Sequence, residues 1–169
     1  FQASYNMNTS AKHFFACYLA RQQLADVPVG QWCSLRDEVL WHRIFVVLRL
    51  RAGEQVQLFD GNMQWSVVLD APGKHNQIIG KVVGCTKTQA LMPALELWIG
   101  LLKREALEQV CYTAGQVGVQ VRIIATQKSG RAWGGEKELY KLCAAAVAGC
   151  EQAKQFMPPT ITPPIGLKQ

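Results

Sequence analysis

The stretch HRIFVVLRLRAGEQVQLFDG, residues 42–61, joins a predicted amphipathic helix directly to a strand and a tight turn. Four apolar residues in or just before it recur at helical spacing: Leu40, Ile44, Val47 and Leu48. This spacing predicts a helix that packs one face against a core and ends at Gly53. The next residues, QVQLF, indicate a strand that enters a hairpin at Asp60-Gly61, because glycine tolerates the positive backbone angles of a tight turn. The stretch therefore predicts a small β-domain that carries one helix.

The opposite face of this helix and its end are basic. Four residues are expected toward solvent or its margin: His42, Arg43, Arg49 and Arg51. Over the whole chain, 18 Lys and Arg against 12 Asp and Glu give a formal charge of +6, which suits a polyanionic partner. The arginines are also compatible with the solvated face of an ordinary amphipathic helix. His42 is also compatible with a packing role, because nothing nearby supplies a nucleophile or an orienting acid.

Two kinds of organisation meet near residues 86–93. Before that segment, alternating patterns predict short strands at 13–18, 31–35, 54–59, 64–69 and 77–84. With one helix among them, they predict a compact β-barrel. After it, residues 95–102 form a nearly continuous apolar run, which is typical of a strand buried on both faces of a parallel sheet. The fold class expected is therefore α+β, a β-barrel followed by an α/β domain.

The second half has regular helical patterns but few strands. The spacing predicts a helix over 104–117 that Gly118 ends, a strand over 121–125, a loop over 128–135 and a second helix over 136–155. The second helix is expected to bury one stripe: Leu139, Cys143, Ala146, Val147 and Cys150. Pro158-Pro159 and Pro163-Pro164 are expected to end regular structure. Only two strands are then predicted after residue 94, so the parallel sheet looks unfinished.

Cysteine usage and hydropathy exclude several classes of protein. The six cysteines lie at 17, 33, 85, 111, 143 and 150, without the spacing of a zinc site. Those at 111, 143 and 150 fall among apolar helix positions, where a thiol acts as a small hydrophobe, and a reduced, cytoplasmic setting is expected. No apolar run is long enough to span a membrane, and no signal peptide precedes the first strand. Residues 1–11 are interpreted as an extension or an artificial remnant.

The chain resembles a known family at several ordered blocks. The pattern H-x-x-x-x-V-L-R-L-x-x-G from His42, followed by L-F-D-G, resembles the amino-terminal domain of the small-subunit ribosomal RNA uridine-N3 methyltransferases, the RsmE-like branch of the SPOUT superfamily. Upstream, Lys12-His13-Phe14-Phe15 is similar to the family's first strand. Downstream, Gln116-Val117-Gly118-Val119 and Glu151-Gln152 lie where the family carries E-L-G-V and E-Q-S-G-R. The resemblance covers residues 12–158.

The resemblance implies a fold, an activity and partners. Residues 12–85 would form a PUA-like β-barrel that binds RNA, residues 86–93 a linker, and residues 94–169 the first part of a SPOUT α/β methyltransferase domain. The implied reaction transfers a methyl group from S-adenosylmethionine to N3 of a uridine in small-subunit ribosomal RNA. The resemblance also implies a homodimer. No catalytic residue can be assigned, because the family's glycine-rich and leucine-rich cofactor loops are not recognisable in this sequence.

The departures from the family keep alternatives open. Gln116 replaces a glutamate, Val46 replaces a frequent arginine, and Lys154 is the only cation near the place of the arginine in E-Q-S-G-R. Lysine cannot provide the bidentate fork of an arginine. The chain is therefore either a fragment of a longer methyltransferase or a shortened relative without the cofactor. The rival functions are a non-catalytic RNA-binding or ribosome-assembly module, and a structural interaction domain whose charge aids solubility.

Six residues are candidates for contact with RNA. Lys103 and Lys128 join His42, Arg43, Arg49 and Arg51, because they follow the two predicted parallel strands, where α/β folds place ligand-binding loops. The loop KSGRAWGG after the second strand matches no nucleotide-binding motif. Its Trp133 either stacks on a base or packs against the nearby helix. Its Ser129 has no base partner and receives no hydrolase role.

Overall fold

The computed structural model describes residues 14–20 and 23–166. The interpreted extension at 1–11, and the first residues of the family block at Lys12-His13, lie outside the described residues. In chain order the strands are β1 (Phe15–Tyr18), β2 (Trp32–Arg36), β3 (Gln55–Phe59), β4 (Met63–Leu69), β5 (Gln77–Lys87), β6 (Glu96–Gly100), β7 (Gln120–Ala125) and β8 (Ile161–Gly166). The helices are α1 (Glu38–Trp41), which continues as a π-helical segment (His42–Val47), α2 (Arg104–Val117) and α3 (Glu136–Ala153).

The first five strands form one sheet in the order β1-β3-β4-β5-β2. Strand β1 pairs with β3 in parallel, and the other neighbours are antiparallel. The predicted β-barrel is not closed in the described residues, since the edge strands β1 and β2 do not pair with each other. The sheet instead curves around one apolar cluster that includes Trp65, Ile78 and Ile44, each at most 1% exposed.

The predicted hairpin at Asp60-Gly61 is confirmed. Strands β3 and β4 pair through the registers of Phe59 with Gln64 and Leu58 with Trp65. The Asp60 carboxylate accepts the N–H groups of Asn62 and Met63, both at 2.8 Å, and this closes the turn. Gly61 adopts φ 96°, a conformation that favours glycine.

The basic helix is shorter and wider than the spacing predicts. Its amino terminus is capped by Asp37, whose carboxylate accepts the Leu40 N–H at 3.0 Å. It ends at Val47 and not at Gly53, because the chain turns at Arg49 with φ 56°. The expectation that Val47 faces the core is also wrong, since its side chain is 58% exposed. The i→i+5 bonding of the π-helical segment adds a residue to each turn and rotates later positions away from the 3.6-residue spacing.

The second sheet is parallel and has three strands, in the order β6-β7-β8. Strand β8 contains Pro163-Pro164, so the prediction that these prolines end regular structure is wrong, as is the count of two strands. The prolines are tolerated because β8 is an edge strand and its register with β7 shifts between Arg122 and Ile124.

Strand β6 is the opposite edge of this sheet, and its burial on both faces was wrongly predicted. Leu97 is 39% exposed and Trp98 57% exposed. The open face of the sheet carries a polar cluster instead, in which Glu96 accepts from Arg122 at 2.7 and 2.9 Å and from Trp98 Nε1 at 2.6 Å. A continuous apolar run therefore does not distinguish a central strand from an edge strand.

Helices α2 and α3 cover the other face of this sheet. The prediction of α2 is confirmed, including its end at Gly118 with φ 74°. The two helices cross closely at two glycines. A Cβ at Gly115 would lie 2.0 Å from the Ala146 carbonyl oxygen, and a Cβ at Gly149 would lie 2.0 Å from the Tyr112 carbonyl oxygen. Part of the predicted stripe of α3 is correct, but Leu142 and Gly149 are buried as well. Helix α3 is thus enclosed by α2 on one side and by the first sheet on another.

All six cysteines are free thiols. Cys111 and Cys150 are fully buried and Cys143 packs against the second core, which confirms their prediction as small hydrophobes. Within residues 14–20 and 23–166, none of the helices combines the length and the apolar character needed to span a membrane.

Candidate nucleic-acid interface

Arg43 binds inward, across the junction between the two sheets. Its guanidinium forms an ion pair with Glu151 of α3, whose side chain is only 7% exposed, whereas that of Arg43 is 41% exposed. The same carboxylate accepts the Tyr18 N–H of β1 at 2.9 Å. Glu151 therefore links the π-helical segment and β1 to α3, and Arg43 is only partly available to an external partner.

Burial governs the ionisation of this junction. It raises the pKa of Glu151 above its ordinary value, and the Tyr18 N–H and Arg43 oppose that rise. Burial also raises the pKa of the neighbouring Cys17 thiol to about 12, with the Glu151 charge adding to the effect. Arg43 Nε is buried without a hydrogen-bond partner among the described residues. These groups serve the packing of the two halves and offer no activated nucleophile.

The family-like block at Glu151-Gln152 is part of the same junction. Gln152 accepts a hydrogen bond from the Gln116 amide at 2.7 Å, so the two downstream blocks of the resemblance meet at the α2–α3 contact. Lys154, the nearest cation to the place of the family's arginine, lies with its Nζ 4.1 Å from the centre of the Phe14 ring. The lysine thus contacts an aromatic face.

A groove of about 620 Å³ runs between α1, α3 and the segment at Pro158-Pro159. Most of its lining is apolar, with Val39 and Tyr140 exposed at 81% and 77%. Its charged groups already have partners inside the fold: Asp37 caps α1, and Glu151 binds Arg43 and the Tyr18 N–H. The groove therefore presents mainly apolar surface.

The other basic residues predicted on the first half are exposed. His42, Arg49 and Arg51 all lie at the surface. Neither arginine has a carboxylate within 4 Å among the described residues, where the ion pairs are those of Arg43, Arg122 and Arg131. The Arg51 N–H donates to the Glu54 carboxylate at 2.6 Å, which fixes the backbone after the helix while the guanidinium stays free of that contact.

Lys103 and Lys128 lie at the carboxyl edge of the parallel sheet, because β6 and β7 are parallel neighbours. Both are exposed. Lys103 immediately precedes α2, and Lys128 lies in a turn that Ser129 closes by accepting the Thr126 N–H at 2.9 Å. Ser129 thus has a structural role in the turn. The structure places these two lysines on one sheet edge and His42, Arg49 and Arg51 on the other half of the chain.

Sequence reasoning missed the ion pair of Arg131 with Glu138. The buried Glu138 carboxylate accepts from Arg131 Nη1 at 3.0 Å and Nη2 at 2.5 Å, and from the Gly134 N–H at 2.7 Å. Arg131 Nε also donates to the Leu102 carbonyl at 2.5 Å. The Arg131 guanidinium holds the pKa of Glu138 below its ordinary value. This pair orders the loop after β7 and ties it to the end of β6.

The same pair contributes to two adjacent clefts, called the edge clefts below, because Glu138 lines one and Arg131 lines the other. One has about 200 Å³ and is lined by Arg104, Glu108, Gly134, Lys137, Glu138 and Lys141. The other has about 410 Å³ and is lined by Lys103, Arg104, Glu105, Arg131 and Ala132. Trp133 packs against the second core, as the packing alternative predicted. Among the described residues, no group of three or more His, Cys, Asp or Glu side chains is placed to hold a metal ion.

Solved structures share this architecture, although no family profile and no curated protein sequence matches the chain. Ribosomal RNA small subunit methyltransferase E from Neisseria gonorrhoeae, bound to S-adenosylmethionine, is 23% identical with a TM-score of 0.71, and the match covers 91% of this chain and 62% of that one. A probable rRNA-methyltransferase from Porphyromonas gingivalis is 18% identical with a TM-score of 0.68, over 90% and 61% of the two chains. The chain has the mixed α+β fold of these methyltransferase structures. A third similar structure, Lpg2936 from Legionella pneumophila with bound S-adenosylmethionine, is 20% identical with a TM-score of 0.72, and this chain covers 64% of its length.

Proposed function

We propose that this chain takes part in the S-adenosylmethionine-dependent methylation of uridine N3 in small-subunit ribosomal RNA, either as the enzyme or as its RNA-docking portion. The observation that carries the proposal is the fold similarity across 91% of the chain to a small-subunit ribosomal RNA methyltransferase bound to that cofactor. The chain spans less than two thirds of the length of that relative. In this proposal, residues 12–85 form a PUA-like domain and residues 94–169 form the first part of a SPOUT domain.

The edge clefts do not fit the cofactor. Bound S-adenosylmethionine would supply an electrophilic methyl group on a cationic sulfonium, next to an adenine that needs an apolar pocket. The edge clefts are lined by five basic and three acidic side chains, so they repel a cation. No described residue is assigned to remove the N3 proton. The chemistry of methyl transfer is therefore not assigned to residues of this chain.

Docking of RNA is the function that the residues support. Arg49, Arg51, Lys103 and Lys128 are exposed and free of ion pairs among the described residues, as phosphate contacts require. His42 is exposed on the first half, as Arg49 and Arg51 are, and Arg43 contributes through its exposed part. Such contacts fix the position of RNA, while its shape and an exposed base would select the target.

A non-catalytic RNA-binding or ribosome-assembly module is the second candidate. The observation that favours it is the misfit between the edge clefts and a cationic cofactor. A homodimer belongs to the methyltransferase proposal, and exposed Leu97 and Trp98 on edge strand β6 provide apolar surface for one. Sedimentation equilibrium measures that assembly directly. A monomer at all concentrations would contradict it.

Calorimetric titration with S-adenosylmethionine tests the methyltransferase proposal. It is made on the 169-residue chain and, where the gene encodes further residues, on the longer product. Binding by either product supports a methyltransferase, and binding by the longer one alone identifies these residues as a methyltransferase fragment whose cofactor site needs further residues. Binding by neither, together with salt-dependent binding of RNA, favours the module. Absence of both kinds of binding would leave only the structural interaction domain.

A further inference from the structure

The two edge clefts form a continuous basic surface, because both are lined by Arg104 at the start of α2. Lys103 lines the larger cleft, and Lys137 and Lys141 line the smaller one, one turn apart on α3. All four side chains belong to exposed residues. The surface is therefore open to an external partner along its length.

The charges of this surface are not neutralised internally. Arg131 and Glu138 satisfy each other, and Arg131 also binds the Leu102 and Ala132 carbonyl groups. Among the described residues, no carboxylate lies within 4 Å of Lys103, Arg104, Lys137 or Lys141. Four cations without an ion pair therefore face the carboxylates of Glu105 and Glu108, and Arg104 also acts electrostatically on Glu138. The excess positive charge favours an anion.

Backbone dipoles reinforce the same preference. Helices α2 and α3 have 14 and 18 residues, and both begin at this edge because each follows a parallel strand. Neither capping residue, Lys103 or Gly135, provides a side-chain hydrogen bond to the first turn, and the negative charge in these turns comes from Glu105 in α2 and from Glu136 and Glu138 in α3. Unsatisfied N–H groups at a helix start carry partial positive charge and bind phosphate oxygens.

The geometry assigns the edge clefts, through Arg104, Lys137 and Lys141 together with Lys103, as a binding track for consecutive phosphates of an RNA backbone. This inference rests on the proposed RNA-docking function and adds three residues to it. The internal Arg131–Glu138 pair would hold the floor of the track in one shape, since it joins the ends of β6 and β7 to the start of α3. A rigid floor lowers the ordering cost of binding.

A charge-matched pair of variants tests the track. The first carries Arg104→Gln, Lys137→Gln and Lys141→Gln, and the second Lys74→Gln, Lys81→Gln and Lys87→Gln, three exposed lysines on the first half. Each loses three positive charges, so the two have the same net charge. Binding of a fluorescent single-stranded oligouridine is measured by anisotropy over a series of salt concentrations, after circular dichroism and thermal melting confirm folding.

The track variant is expected to bind severalfold more weakly, with a log–log salt slope smaller by roughly 2, at about 0.7 per phosphate contact on single-stranded RNA. The matched variant should keep a slope near that of the unsubstituted chain. Equal losses in both variants would mean that only net charge matters, and would overturn the track. An effect of Arg49→Ala without an effect of the track variant would overturn the track but keep RNA docking. No salt-dependent binding by the unsubstituted chain would overturn both.

Discussion

Arg43, in the π-helical segment beside the first sheet, forms an ion pair with the buried carboxylate of Glu151 on α3. The spacing of basic residues on the helix predicted a solvent-facing arginine, and the fold uses it to join the two halves of the chain. A carboxylate that is 7% exposed cannot be left without a partner at low cost. The pair therefore constrains the orientation of the basic helix against α3.

Arg43→Met is expected to lower the free energy of unfolding by about 2 kcal/mol, because it leaves Glu151 buried with the Tyr18 N–H as its remaining hydrogen bond. Urea unfolding followed by circular dichroism measures this. Arg122→Met is the matched control, since its ion pair with Glu96 is exposed and is worth at most about 1 kcal/mol. Equal losses in the two variants would show that the junction pair adds no more stability than an exposed ion pair.

Glu151 should make the protein less stable as pH rises. Its pKa in the folded state is raised above the ordinary 4.5, so the folded state holds the proton longer than the unfolded state does. Its contribution is therefore largest below the unfolded pKa and falls as pH rises through the folded one. The unfolding free energy of the parent minus that of Glu151→Gln should decrease from acidic to neutral pH. An increase over that range would contradict the burial of an ionised carboxylate.

Glu138 should show the opposite dependence. Arg131 lowers its folded-state pKa below 4.5, so the unfolded state binds the proton first as pH falls. Its stabilising contribution is present above the unfolded pKa and is lost as pH falls through the folded one. The difference between the parent and Glu138→Gln should thus shrink in acid, where the Glu151→Gln difference grows. The same unfolding series, with both variants measured side by side, distinguishes the two carboxylates.

Local patterns predicted the elements that local interactions determine. Helix α2 follows from its apolar spacing and from Gly118, and the β3–β4 hairpin follows from Asp60-Gly61, because each of these signals acts within a few neighbouring residues. The burial of β6 did not follow. Whether an apolar strand lies at the centre or at the edge of a sheet depends on strands far away in the chain.

The candidate site was predictable in composition but not in arrangement. Exposure of Arg49, Arg51, Lys103 and Lys128 agrees with their charge, since isolated cations remain solvated. Nothing local indicates that Arg43 meets Glu151, because that pairing depends on how α3 packs against the first sheet. The strand β8 was missed for a similar reason, as prolines are acceptable only where the missing N–H groups face no partner.

Gly149→Ala is expected to destabilise the fold although alanine is the better helix former. Helix propensity alone favours the substitution by about 1 kcal/mol. The new methyl group would lie 2.0 Å from the Tyr112 carbonyl oxygen, so α2 and α3 would have to separate. We expect a net loss of about 2 kcal/mol in the free energy of unfolding. Gly130→Ala, where a Cβ meets nothing within 4 Å, serves as the control and should change stability by less than about 0.5 kcal/mol.

Substitutions at Arg49 distinguish a contact with RNA from an effect of backbone strain. It is exposed and adopts φ 56°, a conformation that costs any residue other than glycine about 1 kcal/mol. Arg49→Ala keeps this cost, Arg49→Gly relieves it, and Arg49→Lys keeps the charge. If Arg49 contacts phosphate, the alanine and glycine variants should both weaken oligouridine binding and reduce its log–log salt slope by roughly 0.7, whereas lysine should preserve the slope. Thermal melting should rank the variants differently, with glycine the most stable. If the RNA affinities of the three variants follow their thermal stabilities and not their charges, Arg49 does not contact the RNA.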